Sequence, residues 1–471
     1  MRLKSMIKRG YRNWYSDPYI YEKNDKGVYR SITYGKFIEN SLGIAAVLNE
    51  KGYHNKNIMI LSENSAMLME YDLAVSFYVG VSAVVSKEWK KADVLAGIKE
   101  LKADLLIYSD SFSEMAKEVH DECGIKILSM KSIKPKFEKE YLEFPVKDQK
   151  KVAKIVFSSG TTGKSKAVKL SLKNVFAGYD SLKRRCEFSH KDSAYLFLPL
   201  NHTYAAVYNF MYSLVAGFSI YLASSTQNIG KELLETNPTV FCAVPLVFNN
   251  LLQAYGENIN MAFGKNIRYL FCGGAPISKE TRKIYKDKGL NMMQAYALSE
   301  TASSLCIAYP FQDDLESVGT VFEDMDVKVV DKDKDGVGEI VVKGDAVFLG
   351  YTDPSLTKRV FDKDGYFHTG DLGIIKNHKI YLKGRKKKML LTSNGENVMA
   401  ESIEVGIMNL DKKIRDVKAS IKNDKIFVTI YVSGEIDAEN IIKEYNKDVP
   451  KYERVADYMI KNDSIDVRLK Q

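Results

Sequence analysis

The chain has 471 residues, of which 45% are hydrophobic and 27% charged, a composition typical of a folded globular protein. Its length exceeds what one compact core accommodates, so two or three domains are expected. The formal net charge of +9 comes from lysines that are spread along the whole chain. Because these lysines form no basic stripe interleaved with aromatic residues, nucleic acid is excluded as the expected partner.

Cysteine usage and the lack of a targeting pattern predict a cytoplasmic protein. The five cysteines are scattered, odd in number and without metal-ligand spacing, which favours reduced thiols. The first residues contain no apolar segment of the signal-peptide type. The apolar stretch 204–223 is interrupted by Asn209, Ser213 and Ser219 and contains the turn-forming pair Ala216-Gly217. It therefore predicts a buried helix, a turn and a strand, with no transmembrane segment.

The N-terminal third alternates between helical periodicity and short apolar runs. Helices are predicted over residues 37–48 and 66–79. Strands are predicted over residues 57–61, 81–85, 105–108 and 125–128. Strands separated by helices of this length indicate a parallel sheet with right-handed crossovers.

The next stretch, residues 158–168 with the sequence SSGTTGKSKAV, follows a predicted strand that ends at Phe157. Glycines allow close backbone approach to an anion, hydroxyl and N–H groups bind oxyanions, and lysines neutralise charge, so this loop predicts a polyphosphate site. A Walker A loop is disfavoured because Ser158 stands where its first glycine belongs and because residues 166–170 predict a strand instead of a helix. A plain surface turn is the remaining alternative.

Beyond the loop the alternation resumes and then changes character. Further strands are predicted over residues 194–198, 218–223, 239–243 and 267–272. After Ser317, short strands joined by Asp, Gly and Lys turns predict an antiparallel β subdomain, with strands over residues 326–330, 338–343 and 379–382. The C-terminal part predicts a small α+β domain with a helix over residues 401–410 and strands over residues 417–421 and 426–432.

Several segments resemble the motifs of one superfamily, the adenylate-forming enzymes, which includes acyl-CoA synthetases, luciferases and peptide-synthetase adenylation domains. The segments are SSGTTGKSKAV (158–168), LPLNHTY (198–204), FCGGAPIS (271–278), QAYALSETAS (294–303), GYFHTGDLG (365–373) and GRKKKMLLTSNGENV (384–398). The forms LPLNHTY, ESVGT (316–320) and SNGENV (393–398) look most like long-chain fatty-acyl-CoA synthetases.

The resemblance implies an α/β fold with two domains. Residues 1–384 would form a large N-terminal ATP- and acyl-binding domain of α/β layered sheets plus the β subdomain. Residues 385–471 would form a small, mobile α+β C-terminal domain after a hinge near Lys387. In the family this small domain swings between an adenylating and a thiolating pose.

The resemblance also implies a nucleotide site. Tyr296 would stack on adenine, Ser299 would meet phosphate, Asp371 would accept both ribose hydroxyls, and Pro276 would fix the start of a helix after the adenine-contacting turn. The full set of nucleotide-binding residues would be Ser158, Ser159, Gly160, Thr161, Thr162, Gly163, Lys164, Lys166, Gly273, Gly274, Ala275, Pro276, Gln294, Ala295, Tyr296, Ser299, Asp371 and Arg385.

The catalytic residues implied in the same way act by positioning and charge neutralisation, since no side-chain nucleophile is needed. Glu300 would hold Mg²⁺, a hard cation that prefers carboxylate and phosphate oxygens. The family's C-terminal lysine falls on Arg468 in a gap-free overlay and on Lys470 after a two-residue slip. The implied catalytic set is Thr161, Lys166, His202, Glu300, Arg468 and Lys470, and the implied thiol-binding residues are Asn394 and Gly395.

The expected function is ATP-dependent activation of a carboxylic acid, expected here to be a fatty acid, to acyl-AMP and transfer to a thiol. Asn201, Thr203 and Tyr204 stand where amino-acid adenylation domains carry an aspartate, which predicts an acid without an α-amino group. The expected cofactors are ATP and Mg²⁺, with coenzyme A or a carrier-protein phosphopantetheine as acceptor. The alternatives are a ligase that loads an acyl carrier protein and a catalytically impaired nucleotide-binding relative, the latter suggested by the missing lysine.

Overall fold

The computed structural model describes residues 3–158, 166–386, 389–391, 397–422, 425–447, 449–450 and 453–462. In these ranges the strands are β1 (Pro18–Lys23), β2 (Tyr29–Thr33), β3 (Asn57–Leu61), β4 (Val81–Val85), β5 (Leu105–Tyr108), β6 (Lys126–Ser129), β7 (Val152–Ser158), β8 (Lys166–Ser171), β9 (Ser193–Leu196), β10 (Ser219–Leu222), β11 (Val240–Ala243), β12 (Tyr269–Cys272), β13 (Met292–Tyr296), β14 (Cys306–Ile307), β15 (Gly319–Val321), β16 (Met325–Val330), β17 (Gly338–Gly344), β18 (Phe367–Lys376), β19 (Lys379–Arg385), β20 (Met389–Leu391), β21 (Asn397–Met399), β22 (Ile414–Lys422), β23 (Lys425–Val432) and β24 (Val455–Asn462).

The α-helices of the same ranges are α1 (Leu3–Asn13), α2 (Tyr34–Glu50), α3 (Ala66–Ala74), α4 (Lys91–Leu101), α5 (Ser113–Cys123), α6 (Leu172–Ala177), α7 (Tyr179–Arg185), α8 (Tyr212–Ala216), α9 (Ile229–Thr236), α10 (Pro245–Tyr255), α11 (Lys279–Asp287), α12 (Pro354–Val360), α13 (Ala400–Met408) and α14 (Ala438–Lys447). Two π-helical turns, Val75–Val79 and Ala205–Met211, extend α3 and precede α8. None of the described helices combines the length and the apolar composition that crossing a bilayer requires.

The chain forms two compact units. The first consists of Met1–Asp326 and Lys343–Gly365, and the second of Val327–Val342 and Tyr366–Gln471. The second unit reaches N-terminal of residue 384 because β18 and β19 pair along their length, with Asp371 opposite Arg385. The predicted division into a nucleotide-binding domain 1–384 and a mobile domain 385–471 stays a prediction about function and movement.

The first unit contains a sheet in the order β6-β5-β3-β4-β7-β8. The strands β3 to β7 pair in parallel, as the alternating pattern predicts, and β8 alone runs antiparallel, against β7. Helices α4 and α5 cover one face with a core that includes Val94, Leu101, Ala116 and Val119. The parallel strands are apolar on both faces because helices and neighbouring segments bury both.

A second sheet of the first unit has the order β2-β1-β10-β9-β11-β12-β13-β14-β15. Its central strands are parallel, whereas β2 pairs antiparallel with β1, β14 with β13, and β15 with β14. The predicted buried helix, turn and strand over residues 204–223 are confirmed, since α8 ends at Ala216, Gly217 caps it with a φ of +85° that suits glycine, and β10 follows. Its first turns are π-helical, which the sequence does not reveal.

The second unit carries the predicted antiparallel strands. β17, β18 and β19 pair antiparallel in that order, and β16 lies beside β17. Farther along, α13 and α14 pack on the sheet β22-β23-β24 through a core that includes Ile403, Ile407, Val428 and Ile430. The predicted helix over 401–410 and the two predicted strands are confirmed, and the parallel third strand β24 is an addition.

A buried ion pair joins helix α3 to β7, the strand that leads to the predicted phosphate loop. The Nζ atom of Lys154 on β7 lies 2.5 Å from both carboxylate oxygens of Asp72 on α3, and Ser82 donates to the same carboxylate at 2.6 Å. Lys154 and Asp72 are 4% and 3% exposed. The strand can bury this lysine because its ammonium is paired with both oxygens of a buried carboxylate.

The substitution Lys154→Met is expected to lower the free energy of unfolding by about 3–5 kcal/mol, because it leaves Asp72 buried without its counter-charge. The double substitution Lys154→Met/Asp72→Leu should recover part of that loss. Urea unfolding followed by circular dichroism measures both. Lys173→Met is the matched control: it removes a half-exposed pair with Asp345 and should cost no more than about 1 kcal/mol. Equal losses for the two lysines would contradict the prediction.

Candidate active site

The two flanks of the phosphate loop form an antiparallel hairpin. Ser158 ends β7 and Lys166 begins β8, and the two residues pair across the hairpin, with the Ser158 hydroxyl 3.3 Å from the Lys166 carbonyl oxygen. A Walker A loop joins a strand to a helix, so the strand after this loop confirms that the motif is of a different type. The loop residues Ser159, Gly160, Thr161, Thr162, Gly163 and Lys164 lie outside the described residues.

Glu300 and Lys166 both contact one tyrosine, Tyr351. The Tyr351 hydroxyl donates a hydrogen bond of 2.7 Å to Glu300 Oε1, and Lys166 Nζ lies 5.1 Å from the centre of the Tyr351 ring. Tyr351 is only 2% exposed, and this burial, followed by the charge of Glu300, raises the pKa of its hydroxyl well above the usual value. The predicted metal-binding carboxylate and the predicted phosphate-binding ammonium are thus neighbours.

The arrangement suits a magnesium ion held between protein and polyphosphate. Among the described residues, Glu300 Oε2 has neither a hydrogen-bond donor nor a cation as partner, whereas Oε1 accepts from Tyr351. The described residues also contain no group of three or more His, Cys, Asp and Glu side chains that could enclose a metal by themselves. One carboxylate plus substrate phosphate oxygens is the ligand set that Mg²⁺ commonly uses.

The segments around this centre follow neighbouring parallel strands. β9 leads to the His202 segment, β12 to the turn with Gly273 and Gly274, and β13 to the Glu300 turn. Carboxyl ends of adjacent parallel strands lie at one edge of a sheet, where α/β proteins bind their ligands. The turn that is predicted to contact adenine lies beside the predicted nucleotide segment 294–303, because Cys272 on β12 pairs with Gln294 on β13.

Within these segments the predicted nucleotide residues differ in exposure. Gln294 and Tyr296 are largely buried, at 5% and 8%, whereas Ala275 and Pro276 are exposed. Ala295 and Ser299 are partly buried. Their predicted contacts with adenine and phosphate stay predictions.

The prediction that Pro276 fixes the start of a helix is wrong. The helix α11 begins at Lys279, and its N-cap is Ser278, whose hydroxyl accepts a hydrogen bond from the Thr281 amide. A serine at this position satisfies a free amide of the first turn, which a proline ring cannot do. Pro276 lies between the bend at Gly274 and Ala275 and the N-cap Ser278, where its ring restricts the backbone.

The His202 segment is fastened to the Glu300 turn and to the sheet. Ser303 donates to Thr203 Oγ1 at 2.9 Å, and the Tyr204 hydroxyl donates to the Phe271 carbonyl at 2.8 Å. His202 is partly buried, and this burial lowers the pKa of its imidazole below the usual value. The side chain is therefore neutral at neutral pH, which suits a position beside a carboxylate and a thioester.

Asp371 and Arg385 lie in the second unit, opposite each other on β18 and β19. Arg385 Nε is 2.7 Å from Asp371 Oδ1, and the aspartate side chain is 5% exposed. On the neighbouring strand β17, Glu339 accepts a hydrogen bond from the amide of Gly370, the residue before Asp371, at 3.1 Å and from Lys386 Nζ at 2.9 Å. Burial opposes its ionisation, but the hydrogen bonds from Lys386 and His368 hold the pKa of Glu339 below its usual value.

Two of these residues were not singled out by the sequence patterns. Tyr351 lies in an irregular segment between β17 and α12, which has neither the spacing nor the composition of a binding motif. Lys386 belongs to a run of three lysines whose ordinary interpretation is a solvated charge cluster, yet it pairs with the buried Glu339. The predicted residues Lys387, Asn394, Gly395, Arg468 and Lys470 lie outside the described residues.

Comparison with known proteins decides the family. Residues 13–352 match the family described as AMP-binding enzyme. The chain belongs to the AMP-binding enzyme family. Within it, the chain is an AMP-forming acid–thiol ligase with the α/β fold that the sequence predicts. The sequence also predicts that the substrate is a fatty acid. None of the relatives described next is a fatty-acyl-CoA synthetase.

Three relatives illustrate the match. 4-Coumarate:CoA ligase 1 of Petunia hybrida is 25% identical over 465 residues, covering 91% of this chain and 82% of the ligase. 2-Succinylbenzoate–CoA ligase of Enterococcus faecalis is 30% identical over 268 residues, covering 55% and 54%. The structure of O-succinylbenzoate coenzyme A synthetase from Bacillus subtilis with ATP and magnesium ion is similar in fold, with a TM-score of 0.84, 19% identity and coverage of 97% and 95%.

Proposed function

We propose that the chain joins a carboxylic acid to coenzyme A in two steps that share one site. In the first step, an oxygen of the acid attacks the α-phosphorus of ATP, pyrophosphate leaves, and an acyl-adenylate is formed. In the second step, the thiolate of coenzyme A attacks the acyl carbonyl carbon and AMP leaves. The observation that carries this proposal is the Glu300 carboxylate held by Tyr351 beside Lys166, at the end of the phosphate-loop hairpin.

In this proposal each side chain acts on charge that develops during adenylation. Lys166 and the hydroxyls and amides of the loop bind the phosphates, while Glu300 would hold Mg²⁺, which supplies charge neutralisation on the phosphate oxygens. Asp371 would accept from the ribose hydroxyls, and Arg385 would hold that carboxylate in place. Neutral His202 would lie along the path of the acid carboxylate without adding a competing positive charge.

We propose an aryl acid as the substrate class, in place of the fatty acid expected from the sequence. The relatives named above are ligases of 4-coumarate and 2-succinylbenzoate, both of which contain a benzene ring. Beside the His202 segment, the rings of Tyr204 and Tyr208 lie 5.6 Å apart, and Tyr208 lies 5.9 Å from Phe271. The Tyr208 hydroxyl is buried and makes no hydrogen bond within the described residues, so a polar ring substituent would satisfy it.

Acid-dependent exchange of pyrophosphate into ATP tests this proposal. We expect the fastest exchange with ring-hydroxylated cinnamates or benzoates and slow exchange with fatty acids of graded chain length. Tyr208→Phe should lower the preference for a hydroxylated over an unsubstituted ring by about tenfold, because a buried hydrogen-bond partner is lost. Fastest exchange with fatty acids would refute the aryl assignment. A folded protein that binds ATP but exchanges with no acid would be the impaired relative.

The acceptor is tested separately. Acyl-adenylate formed in place is offered either coenzyme A or a phosphopantetheinylated carrier protein, and the thioester is measured by mass. The proposal expects rapid transfer to free coenzyme A. Transfer to the carrier protein alone would establish the loading ligase instead.

A further inference from the structure

We propose that Tyr351 is a positioning residue with two separable tasks: its hydroxyl orients the Glu300 carboxylate toward the metal, and its ring face holds the Lys166 ammonium for the phosphates. This inference rests on the proposed function and adds a residue that the motifs do not contain. The two contacts that carry it are the 2.7 Å hydrogen bond to Glu300 Oε1 and the 5.1 Å approach of Lys166 Nζ to the ring centre.

The backbone around Tyr351 fixes these contacts. We call residues 348–352 the strap segment. The Leu349 amide donates to the Lys169 carbonyl, the Lys169 amide to the Gly350 carbonyl and the Thr352 amide to the Ala167 carbonyl, at 2.9, 3.0 and 3.0 Å. The strap segment thereby pairs with β8, the strand that Lys166 begins.

The same segment is joined to the Glu300 turn. The Phe348 amide donates to the Glu300 carbonyl at 2.8 Å, so backbone and side chain of Glu300 are both bound to the strap segment. Gly350 makes the bend possible: its φ is +105°, and a Cβ atom there would lie 2.6 Å from the Thr357 side chain. The strap segment therefore holds Lys166 and Glu300 at a fixed separation before any ligand binds.

The chemistry of tyrosine suits both tasks. The Tyr351 hydroxyl has one hydrogen to donate, and it donates this hydrogen to Glu300 Oε1. By occupying Oε1, the hydroxyl leaves Oε2 for a metal, in the manner of a residue that orients a metal ligand. The electron-rich ring face attracts the ammonium without neutralising it, so Lys166 keeps its full charge for phosphate. Phenylalanine at this position would keep the ring face that contacts Lys166 but would lose the hydroxyl that orients Glu300.

Binding of Mn²⁺, followed by electron paramagnetic resonance in the presence of α,β-methylene-ATP, tests the hydroxyl. We expect Tyr351→Phe to weaken Mn²⁺ binding by about tenfold or more, which is the usual cost of losing an orienting partner. Binding of the metal-free analogue should be unchanged. Tyr285→Phe is the control, since it removes another buried tyrosine hydroxyl, bonded to the Phe248 carbonyl at 2.8 Å, and should leave Mn²⁺ binding unchanged. Similar melting temperatures of the two variants would exclude a general loss of stability.

Tyr351→Leu tests the ring. It should weaken Mn²⁺ binding as Tyr351→Phe does. In addition, it should weaken binding of the metal-free analogue several-fold, because the Lys166 ammonium loses the aromatic ring face that it contacts. Equal binding of the metal-free analogue by the Phe and Leu variants would refute the task assigned to the ring. Unaltered Mn²⁺ binding by Tyr351→Phe would refute the task assigned to the hydroxyl.

Glu300→Ala separates this inference from the proposed function. If Glu300→Ala loses Mn²⁺ while Tyr351→Phe retains it, the metal assignment holds and the orienting task is refuted. If Glu300→Ala retains Mn²⁺, the metal assignment of the proposed function fails, and the orienting task fails with it.

Discussion

Glu300→Ala is expected to lower acyl-adenylate formation by about 10²- to 10³-fold or more while the protein remains folded. Glu300 is the carboxylate that the Tyr351 hydroxyl holds beside Lys166, and its second oxygen has no partner within the described residues. Without it, Mg²⁺ would lose its protein ligand and the phosphates would lose their fixed orientation. Single-turnover measurement of acyl-adenylate at ordinary magnesium concentration gives the result.

Two further variants show where such a loss comes from. Glu300→Gln keeps an oxygen that can accept from Tyr351 but removes the charge, so a loss as large as that of the alanine variant would assign the effect to the metal. Glu118→Ala removes an exposed carboxylate on α5 of the same unit and should leave the rate unchanged. Near-normal adenylation by folded Glu300→Ala would contradict the metal assignment.

The sequence predicts those strands and helices that are defined by the pattern of apolar and polar residues within the segment itself. Strands β3, β4 and β5 match the predicted bounds because their apolar runs are short and end at polar turns. The strand after the glycine-rich loop is also predicted, over residues 166–170, whereas its antiparallel pairing with β7 is seen only in the structure. Within the site, the glycine, hydroxyl and carboxylate residues are recognisable because their types and spacing are those that phosphate and metal binding require.

Contacts between residues far apart in the sequence could not be predicted in this way. Tyr351 forms a β-bridge with Val168 on β8, and β1 pairs with β10, which follows about two hundred residues later in the sequence. The residues around each of these segments do not indicate which distant segment it contacts. The sequence alone does not distinguish Lys154 from an exposed lysine. Only the structure shows that it is buried and paired with Asp72 on α3. A local pattern therefore identifies the groups that touch the ligand, whereas the groups that hold them in place emerge only from the folded chain.

The second large expected effect concerns the residue that supplies a positive charge near the C-terminus. The family places a lysine near the C-terminus, where it offsets charge on the carboxylate and the α-phosphate as they meet. In this chain the position falls on Arg468 or, after a two-residue slip, on Lys470. Both lie outside the described residues, so the prediction rests on the sequence. Arginine keeps the charge but spreads it over a larger planar group. The exchange of lysine for arginine is therefore not conservative.

If the gap-free overlay is right, Arg468→Ala should slow adenylation by about 10²- to 10³-fold, the usual cost of one preorganised charge contact at a developing charge. It should spare thioester formation from supplied acyl-adenylate, because the small domain is then expected to have rotated away. Arg468→Lys should equal or exceed the starting rate by restoring the compact ammonium. A loss in Lys470→Ala with a silent Arg468→Ala would establish the slip. If both alanine variants are silent in single-turnover adenylation, neither residue is the cation, and the protein either uses another cation or is no longer an efficient adenylating enzyme.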